Sequence, residues 1–394
     1  MTSEWRTIRA ADFIDFNPRL SLKKGDIATK VAMDKLKPFT KKIPETEKAE
    51  FNGGAKFCNG DTVMARITPC LENGKTAYVD MLDDGEIGFG STEFIVMRAK
   101  TGISDPQFVY YTAINPVFRN VAIKSMVGSS GRQRVQQSVL EELELSVPDL
   151  DEQRRIGDFL ARIDEKIALN DRINDNLEQQ AQSYFQELFV DNADPEWAIG
   201  TISDLGTVVG GSTPSKAKPE YYTESGIAWI TPKDLSINKS KFVSHGENDI
   251  TELGLKNSSA AIMPEGTVLF SSRAPIGYIA IAAGEVTTNQ GFKSVVPKPE
   301  IGTPFVYFFL KNTLPVIEGM ASGSTFKEVS GSTMKKVPAV IPDAETLAKF
   351  SSFCAPIFAQ QRILEEQNQS LAILRDNLLP KLMSGEIDVS DVQL

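Results

Sequence analysis

Histidine is almost absent from this chain of 394 residues, and cysteine is scarce: the sequence has one His and three Cys. Serine–histidine or histidine–metal chemistry would depend on His245 alone, which lies in a polar stretch typical of a surface loop, so a hydrolase is disfavoured. Cys58, Cys70 and Cys354 lie far apart without paired spacing. That pattern favours reduced thiols in a cytoplasm over a disulfide scaffold.

Long apolar runs are also missing. No stretch approaches the roughly 18 uncharged apolar residues of a membrane span, and the first ten residues, MTSEWRTIRA, contain no apolar signal-peptide core. We therefore expect a cytoplasmic protein with no membrane association.

Catalytic and nucleotide-binding motifs are incomplete. Asn73-Gly-Lys-Thr76 resembles the end of a P-loop, but Pro69 stands where the first glycine of that motif is needed. Gly88-Phe-Gly90 lacks the third glycine of a dinucleotide fingerprint. The chain also contains no Asn-Pro-Pro-aromatic or Asp-Pro-Pro-aromatic tetrapeptide of the kind expected in an amino-methyltransferase. We predict a non-catalytic scaffold or reader without a cofactor or a metal.

The net charge of −10 argues at first against a nucleic-acid partner. However, Lys+Arg minus Asp+Glu is +1 over residues 1–148, −6 over 149–192, −1 over 193–342 and −4 over 343–394. The second and fourth segments hold the whole excess of negative charge. The other two are close to neutral and can still collect cations on one face.

A long helix is predicted from Pro148 to Phe189. Asp149 and Glu152 have the spacing of a capping box, and about 35 helical residues would span roughly 50 Å. Asn170 and Asn174 fall within the apolar seam, where polar residues fix register. The seam itself follows the alternating steps of four and three that are typical of a coiled coil, at Ile156, Leu160, Ile163, Ile167, Leu177, Ala181, Tyr184 and Leu188.

The same pattern returns 194 residues later. Phe159, Ile163 and Leu177 correspond to Phe353, Ile357 and Leu371, and the segments that begin at Met126 and Met320 also match. Pro356 is expected in the first turns of this second helix, and Pro380 is expected to kink or end it. The repeat predicts an α+β protein with two α/β domains separated by two long antiparallel helices. These helices would form an intramolecular coiled coil with a pseudo-twofold internal duplication.

Shorter signals predict elements within each domain. Asn73-Gly74 indicates a hairpin turn between two strands, and residues 107–121 a helix interrupted at Asn115-Pro116. Residues 139–147 are expected to close the first domain with a strand. In the second half, strands are expected at 267–270 and 278–282.

This arrangement resembles the specificity subunit of a Type I restriction-modification enzyme over nearly the whole chain. The local matches are Trp197 with Gly210-Gly-Ser-Thr-Pro214, Asn289-Gln-Gly-Phe292, Ser322-Gly-Ser-Thr325, and the Pro-Asp entry to each helix. The first half departs from the pattern, because Phe16-Asn-Pro-Arg19 replaces the Gly-Gly-Ser-Thr-Pro loop.

The resemblance implies target-recognition domains at 1–147 and 193–341, spacer helices at 148–192 and 342–394, and recognition of a bipartite double-stranded DNA target. It also implies two methyltransferase (modification) subunits and two motor/endonuclease (restriction) subunits as partners, which would carry the catalysis.

Candidate DNA-binding residues combine polar loops, whose backbone can approach phosphates, with side chains able to read base edges. They are Arg66, Thr68, Lys75, Ser129, Ser130, Arg132 and Arg134 in the first domain, and Ser212, Thr213, Lys233, Ser271, Ser272, Arg273, Tyr278, Asn289, Gln290, Ser324 and Lys327 in the second.

Two alternatives stay open. One is the recognition chain of a fused or Type IIB-like system, and the other is a coiled-coil scaffold that binds proteins rather than DNA. The Gly/Ser loop repeated before each helix favours DNA, since a scaffold does not need it.

Overall fold

A computed structural model describes residues 5–323 and 327–392 of the chain. Contacts divide the protein into two units, which we call unit 1 (Met1–Asn170 with Gln367–Leu394) and unit 2 (Asp171–Glu366). Each unit combines strands and short helices with part of two long helices, so the protein has a mixed helix-and-strand fold. Within the described ranges, no helix is long and apolar enough to cross a membrane.

Unit 1 is built on two four-stranded sheets and one additional strand pair. Its strands are β1 (Arg6–Arg9), β2 (Ile14–Phe16), β3 (Ile27–Val31), β4 (Glu47–Glu50), β5 (Ala55–Phe57), β6 (Thr62–Ala65), β7 (Thr76–Tyr78), β8 (Gly88–Gly90), β9 (Phe94–Ala99) and β10 (Glu144–Val147). Its helices are α1 (Ala10–Phe13), α2 (Pro106–Ile114), α3 (Pro116–Lys124), α4 (Gln137–Glu141) and the start of α5 (Leu150–Gln186).

The two sheets of unit 1 have the orders β2-β9-β6-β7 and β4-β3-β8-β5, and β1 pairs with β10. The expected hairpin is present, because β6 and β7 are antiparallel. Gly74 in the connection has φ +72°, a conformation that glycine adopts without strain. The predicted helix is interrupted as expected, since Asn115 ends α2 and its side chain caps α3.

Unit 2 is built on one five-stranded sheet with smaller pairs around it. Its strands are β11 (Ala198–Thr201), β12 (Gly206–Gly210), β13 (Tyr222–Thr223), β14 (Trp229–Ile230), β15 (Phe242–Val243), β16 (Asp249–Ile250), β17 (Val268–Ser272), β18 (Ile276–Ala282), β19 (Thr287–Thr288), β20 (Lys293–Pro297) and β21 (Pro338–Ile341). Its helices are α6 (Ile202–Leu205), α7 (Pro232–Ile237), α8 (Glu252–Lys256), α9 (Thr303–Gly319), α10 (Gly331–Lys335) and most of α11 (Ala344–Ser384).

The five-stranded sheet has the order β12-β20-β17-β18-β15. Strands β17 and β18 confirm the two strands predicted around 267–282. Helix α9 packs on this sheet and buries Phe305, Phe308 and Leu310 in the largest hydrophobic cluster of the unit.

Both long helices begin where their Pro-Asp entries predict. The Asp149 carboxylate accepts the backbone N–H groups of Asp151 and Glu152, and Asp343 caps α11 through the N–H of Thr346. The predicted return contact of the capping box is replaced, because the side chain of Glu152 forms an ion pair with Arg155.

Within unit 1, the first part of α5 packs against the last part of α11. Ile156, Leu160 and Ile163 share a buried cluster with Leu379 and Leu382. Asp164 pairs with Arg375, and the fully buried Asn170 donates its Nδ2 to Oδ1 of Asn368 at 2.9 Å. Numbers rise on one helix as they fall on the other, so these two segments run antiparallel.

Within unit 2, the remaining segments of α5 and α11 also run antiparallel. The Gln361 amide donates to the backbone carbonyl of Asn174, while the rings of Tyr184 and Phe353 lie 4.5 Å apart. Leu177 and Ala181, which lie in the predicted seam, pack in the largest hydrophobic cluster of unit 2.

The structure corrects the predictions for α11 and for residues 139–147. Helix α11 continues from Ala344 to Ser384, so it does not end at Pro380, and Pro356 lies in its fourth turn rather than in its first turns. A proline in a helix costs about 3 kcal/mol, and buried neighbours such as Ile357 and Leu382 offset that cost. The strand expected over residues 139–147 begins only at Glu144. Residues 137–141 form the short helix α4 instead, because this turn buries Leu140 in the core.

The order of elements in unit 1 recurs in unit 2. Helices α4 and α10, strands β10 and β21, and the starts of α5 and α11 are each separated by 194 positions. The pair β1–β10 corresponds to β11–β21, and both pairs are antiparallel. This correspondence allows the elements of the two units to be compared.

Candidate nucleic-acid interface

Each unit carries a surface cleft at a corresponding place in its sheet. In unit 1 the cleft, here called cleft 1, lies between the loop after β2 and the turn before β9. In unit 2 the second cleft, cleft 2, lies between the loop after β12 and the turn before β20. The strands correspond because β2 pairs antiparallel with β9 as β12 does with β20. The clefts have volumes of about 560 and 580 Å³.

Cleft 1 is rich in cations. Arg19, Lys56 and Arg66 contribute to its wall, and among its described lining residues none is acidic. Asn17 shapes the loop, because its backbone N–H donates to Val96 and its Oδ1 accepts the N–H of Val96. The cleft therefore presents positive charge on a loop fixed to the sheet.

Cleft 2 has a mixed and partly aromatic lining. The residues that form it are Thr213, Lys216, Tyr222, Trp229, Thr231, Pro232, Lys233, Asp234, Glu247, Asn248, Asn289 and Gln290. The hydroxyl of Thr213 donates to Oε1 of Gln290, and Oδ1 of Asn289 accepts the backbone N–H of Gly291. Lys233 is held by Glu247 at 2.6 Å.

Close backbone packing in cleft 2 depends on Gly211. A Cβ atom on this residue would lie 1.9 Å from the carbonyl oxygen of Asn289, so any other side chain would push the two walls apart. The next residue, Ser212, donates its backbone N–H to Thr288 at 2.8 Å and its carbonyl accepts the indole N–H of Trp229 at 3.0 Å. The Gly-Gly-Ser-Thr-Pro loop is thereby bonded to both walls.

An ion-pair cluster connects cleft 1 to the Gly128 loop. Glu93 accepts hydrogen bonds from Arg134, the shortest being 2.7 Å, and its Oε2 lies 3.9 Å from Nε of Arg66. The Arg134 hydrogen bonds lower the pKa of Glu93 below its usual range. Arg66 and Arg134, both predicted from the sequence, are thus brought together by a carboxylate that the prediction did not include.

Unit 2 has a similar ion-pair cluster, with a carboxylate at the position where unit 1 has Arg134. Glu328 lies 194 positions after Arg134 and forms ion pairs with Arg273 at 3.7 Å and with Lys293 at 3.8 Å. Burial lowers the pKa of Lys293, and its ammonium also donates to the carbonyl of Gln290. Arg273 is therefore linked to the rim of cleft 2 through Glu328 and Lys293.

The other predicted residues occupy varied places. Ser129, Ser130 and Arg132 are exposed in the Gly128 loop, and Lys327 is also exposed. Thr68 is bonded to the backbone of Gln133. Ser324 lies outside the described residues.

Four predicted residues are directed toward the protein. Ser271 and Ser272 are completely buried, and their hydroxyls donate to the carbonyls of Pro275 and Gly291, so they have a structural role in β17. Lys75 donates to the carbonyl of Met33. Tyr278 lies under the ammonium of Lys239 at 4.4 Å.

Sequence reasoning missed several cleft residues. Arg19 and Lys56 in cleft 1, and Lys216, Trp229 and Asn248 in cleft 2, were not among its candidates. For Arg19 a signal existed, since Phe16-Asn-Pro-Arg19 stands where unit 2 has its Gly-Gly-Ser-Thr-Pro loop. Lys216 and Trp229 also lie within four positions of the candidates Thr213 and Lys233. Lys56 and Asn248 come from segments that only the fold brings to the clefts.

Two units with corresponding elements and chemically different clefts define a class of protein in which one fold is repeated. The chain belongs to the Type I restriction modification DNA specificity domain family, whose sequence model matches residues 3–179 and again residues 195–374.

Named relatives agree with this assignment. The chain is 40% identical over 173 residues to the MjaIX specificity subunit of Methanocaldococcus jannaschii, a match that covers 43% of this chain and 40% of that protein. It is 25% identical over 407 residues to the HindI specificity subunit of Haemophilus influenzae, covering 83% of this chain and 86% of the relative.

A solved structure has the same fold. The crystal structure of the Type I restriction-modification S subunit from M. genitalium matches with a TM-score of 0.57 and 17% identity, over 96% of each chain.

Proposed function

We propose that this chain is the specificity subunit of a Type I restriction-modification complex and recognises a bipartite double-stranded DNA target, each unit reading one half. The observation that carries the proposal is the repeated family match, at 3–179 and 195–374. Each match includes one of two corresponding clefts with different linings. Different linings on one scaffold suit two different short sequences.

The two long helices act as the spacer in this proposal. In the proposed division, recognition domains occupy residues 1–147 and 193–341, and the spacer helices occupy residues 148–192 and 342–394. Antiparallel packing of α5 against α11 within each unit supports an intramolecular helix pair with pseudo-twofold symmetry. Such symmetry matches the dyad of duplex DNA.

The catalytic steps belong to partner chains in this proposal. Two modification subunits would supply methyl transfer, and two motor/endonuclease subunits would supply ATP hydrolysis and cleavage. Among residues 5–323 and 327–392, no cluster of His, Cys, Asp or Glu could hold a metal ion. The helix segments, which carry the whole excess of negative charge, are the proposed docking surface for the modification subunits.

A methylation map tests the proposal. The chain is co-expressed with its modification subunits, and methylated positions in random-sequence DNA are sequenced. We expect two short specific segments separated by an unspecified gap, with base changes costing about 1–3 kcal/mol within a segment and little in the gap. A continuous target, or methylation without sequence preference, would contradict the proposal.

A domain exchange distinguishes this from a protein-binding scaffold. Residues 193–341 are replaced by the same region of a relative with another target, and the matched control replaces 1–147. Each exchange should alter one half of the target and leave the other half and the gap unchanged. A scaffold role predicts no change in DNA specificity.

A further inference from the structure

The two corresponding clefts offer different functional groups to a DNA base. Cleft 1 offers guanidinium and ammonium groups from Arg19, Lys56 and Arg66. Cleft 2 offers the amides of Asn289 and Gln290, while its cation Lys233 is paired with Glu247. In the major groove, arginine donates two hydrogen bonds to O6 and N7 of guanine, whereas an amide pairs with N6 and N7 of adenine.

Arg66 is the cation of cleft 1 that lies beside a carboxylate. It directly follows β6, and its backbone N–H and carbonyl are bonded to Glu93 and Val135. Its Nε is buried without a hydrogen-bond partner among the described residues, 3.9 Å from Glu93, while 33% of its side chain remains exposed. A guanidinium fork oriented by a neighbouring carboxylate is suited to reading a base edge, because its geometry is set before binding.

Arg19 and Lys56 have different surroundings. Arg19 is exposed and forms no ion pair within the described part of the chain. Lys56 donates to the carbonyl of Leu20 at 2.7 Å and so holds the loop that carries Arg19. An exposed, unrestrained cation favours a phosphate contact, which contributes affinity without sequence preference.

Gln290 lies on the wall of cleft 2, in the turn before β20. Its Oε1 accepts the hydroxyl of Thr213, and its backbone carbonyl accepts the ammonium of Lys293. The bond from Thr213 orients the amide and leaves its NH₂ group available, with one lone pair remaining on the oxygen. An amide with a free donor and a free acceptor pairs with adenine.

We propose that Arg66 in cleft 1 reads a G·C pair in one half of the target and that Gln290 in cleft 2 reads an A·T pair in the other half. This inference rests on the proposed bipartite DNA recognition and adds the class of base for each unit. Arg19 contacts a phosphate beside the first pair.

The test uses the full chain assembled with its modification subunits and a library of its own target with every base varied in turn. Arg66→Lys keeps the positive charge and removes the fork. We expect discrimination at one G·C position of one half-site to fall about 5- to 150-fold. The other half-site should keep its full discrimination, which also shows that the complex is folded.

The second arm uses Gln290→Glu. The carboxylate can still accept the Thr213 hydroxyl but has no N–H for adenine N7, and carboxylates accept from the amino group of cytosine. We expect one A·T position in the opposite half-site to lose its preference and to favour C·G instead. Arg19→Ala should weaken binding about equally on all sequences and reduce the salt dependence by about one counterion.

Lys124→Ala removes a charge at the exposed end of α3 and is the matched control, which should leave base preferences unchanged. If Arg66→Lys weakened binding equally on all sequences, Arg66 would be a phosphate contact and the inference would be wrong. Loss of discrimination at an A·T pair in Arg66→Lys would also overturn it, and so would unaltered base preferences in Gln290→Glu. These outcomes leave bipartite recognition standing, whereas a wild-type complex with no bipartite target removes the proposed function itself.

Discussion

The ammonium of Lys241 donates to the carboxylate of Glu178 on α5 at 2.8 Å, inside the hydrophobic part of unit 2. The same ammonium lies 3.5 Å from the ring centroid of Phe358 and donates to Gln361 at 2.8 Å, both on α11. The start of β15 is also held by α11, since the Glu365 carboxylate accepts the backbone N–H groups of Lys241 and Phe242. The edge strand β15 is thereby fastened to both long helices.

Unit 1 contains a comparable buried lysine. Lys41 lies 5.0 to 5.5 Å from the ring centroids of Tyr78, Tyr110 and Tyr111. Tyr111 in turn donates its hydroxyl to Asp164 on α5 at 2.6 Å. In both units a lysine from the sheet-bearing part, surrounded by aromatic rings, helps to fix that part to the helices.

These lysines predict an alkaline rise in stability. Burial lowers the pKa of Lys241 and of Lys41 to about 8, from an ordinary value of 10.5. Below pH 8 both the folded and unfolded states hold the protons. Between about pH 8 and 10 only the folded state releases them, so the unfolded state binds more protons and the free energy of unfolding rises with pH, by up to about 1.4 kcal/mol per pH unit and lysine.

Urea unfolding at pH 7.5 to 9.5 measures this effect. Lys241→Met should lose about half of the rise, while Lys239→Met, at an exposed lysine two positions earlier, should keep it.

Glu178, Lys311 and Cys354 face Lys241. Burial raises the pKa of Glu178, but Lys241 and Lys311 outweigh burial and lower it to about 2; burial raises the pKa of Cys354 to about 12, so neither titrates in this range. An equal rise in all three proteins would contradict the assignment.

The buried pair of Arg375 and Asp164 predicts a large loss of stability when one partner is removed. Their side chains are 7% and 6% exposed and lie 2.6 Å apart. Arg375→Met leaves the Asp164 carboxylate buried without its guanidinium partner, although the Tyr111 hydroxyl still donates to it, and should cost about 3–5 kcal/mol. The free energy of unfolding from urea titration measures the loss.

Adding Asp164→Asn to Arg375→Met removes the unpaired charge and retains an acceptor for Tyr111, so most of the stability should return. Arg154→Met, which breaks an exposed ion pair with Asp151, should have little effect. If Arg375→Met proved as mild as Arg154→Met, the pair would not contribute as its burial indicates.

Adjacent glycines give a matched test of cleft 2. Gly211→Ala would place Cβ 1.9 Å from the carbonyl of Asn289, whereas Gly210→Ala meets nothing nearer than Lys293 at 3.9 Å. We expect Gly211→Ala to reduce affinity for the half-site read by unit 2 at least tenfold, with the other half-site unaffected. Gly210→Ala should bind like the wild type. Binding to DNA with one half-site scrambled distinguishes the two halves, and equal behaviour of the two variants would exclude cleft 2 from recognition.

The spacer role predicts that the helices set the gap. Four residues are inserted in each helix, after Arg172 in α5 and after Glu366 in α11, between the contacts of Asn170 with Gln367 and of Asn174 with Gln361. Four residues add about 6 Å and slightly more than one helical turn. Since DNA rises about 3.4 Å per base pair, the preferred gap should grow by one or two base pairs.

Methylation of DNA with graded gap lengths measures the change. Two-residue insertions at the same points rotate the following segment by about 200°, break the apolar seam and should abolish activity. An unchanged gap preference in a folded four-residue variant would assign the spacing to the partner subunits instead.

The sequence predicted elements whose signals are local. The Pro-Asp entries located the starts of α5 and α11, and Asn73-Gly74 located the connection between β6 and β7. The seam at Asn170 was also readable, because helical spacing alone brings it into line with Ile163 and Leu177. The helix does not end at Pro380, since buried neighbours such as Leu379 and Leu382 outweigh the local preference of proline.

The type of a candidate residue did not predict whether its side chain points into the protein or toward the surface. Ser271 and Arg273 lie two apart on and just after β17, yet the first is buried and the second is on the surface. Arg66 could be named from its position beside a strand, but Glu93, which orients it, could not. That contact joins the turn before β9 to the residue after β6 and exists only because the two strands pair.

The repeated plan could be predicted from the sequence, because capping, helical periodicity and a constant offset of 194 are patterns along the chain. Which polar groups face outward and which are buried depended on the packing of distant segments, as in the two clefts, the Glu93 and Glu328 ion-pair clusters and the buried Lys41 and Lys241. Those arrangements join segments tens of residues apart, and the burial of each group together with its charged neighbours sets its charge state and its availability to a ligand.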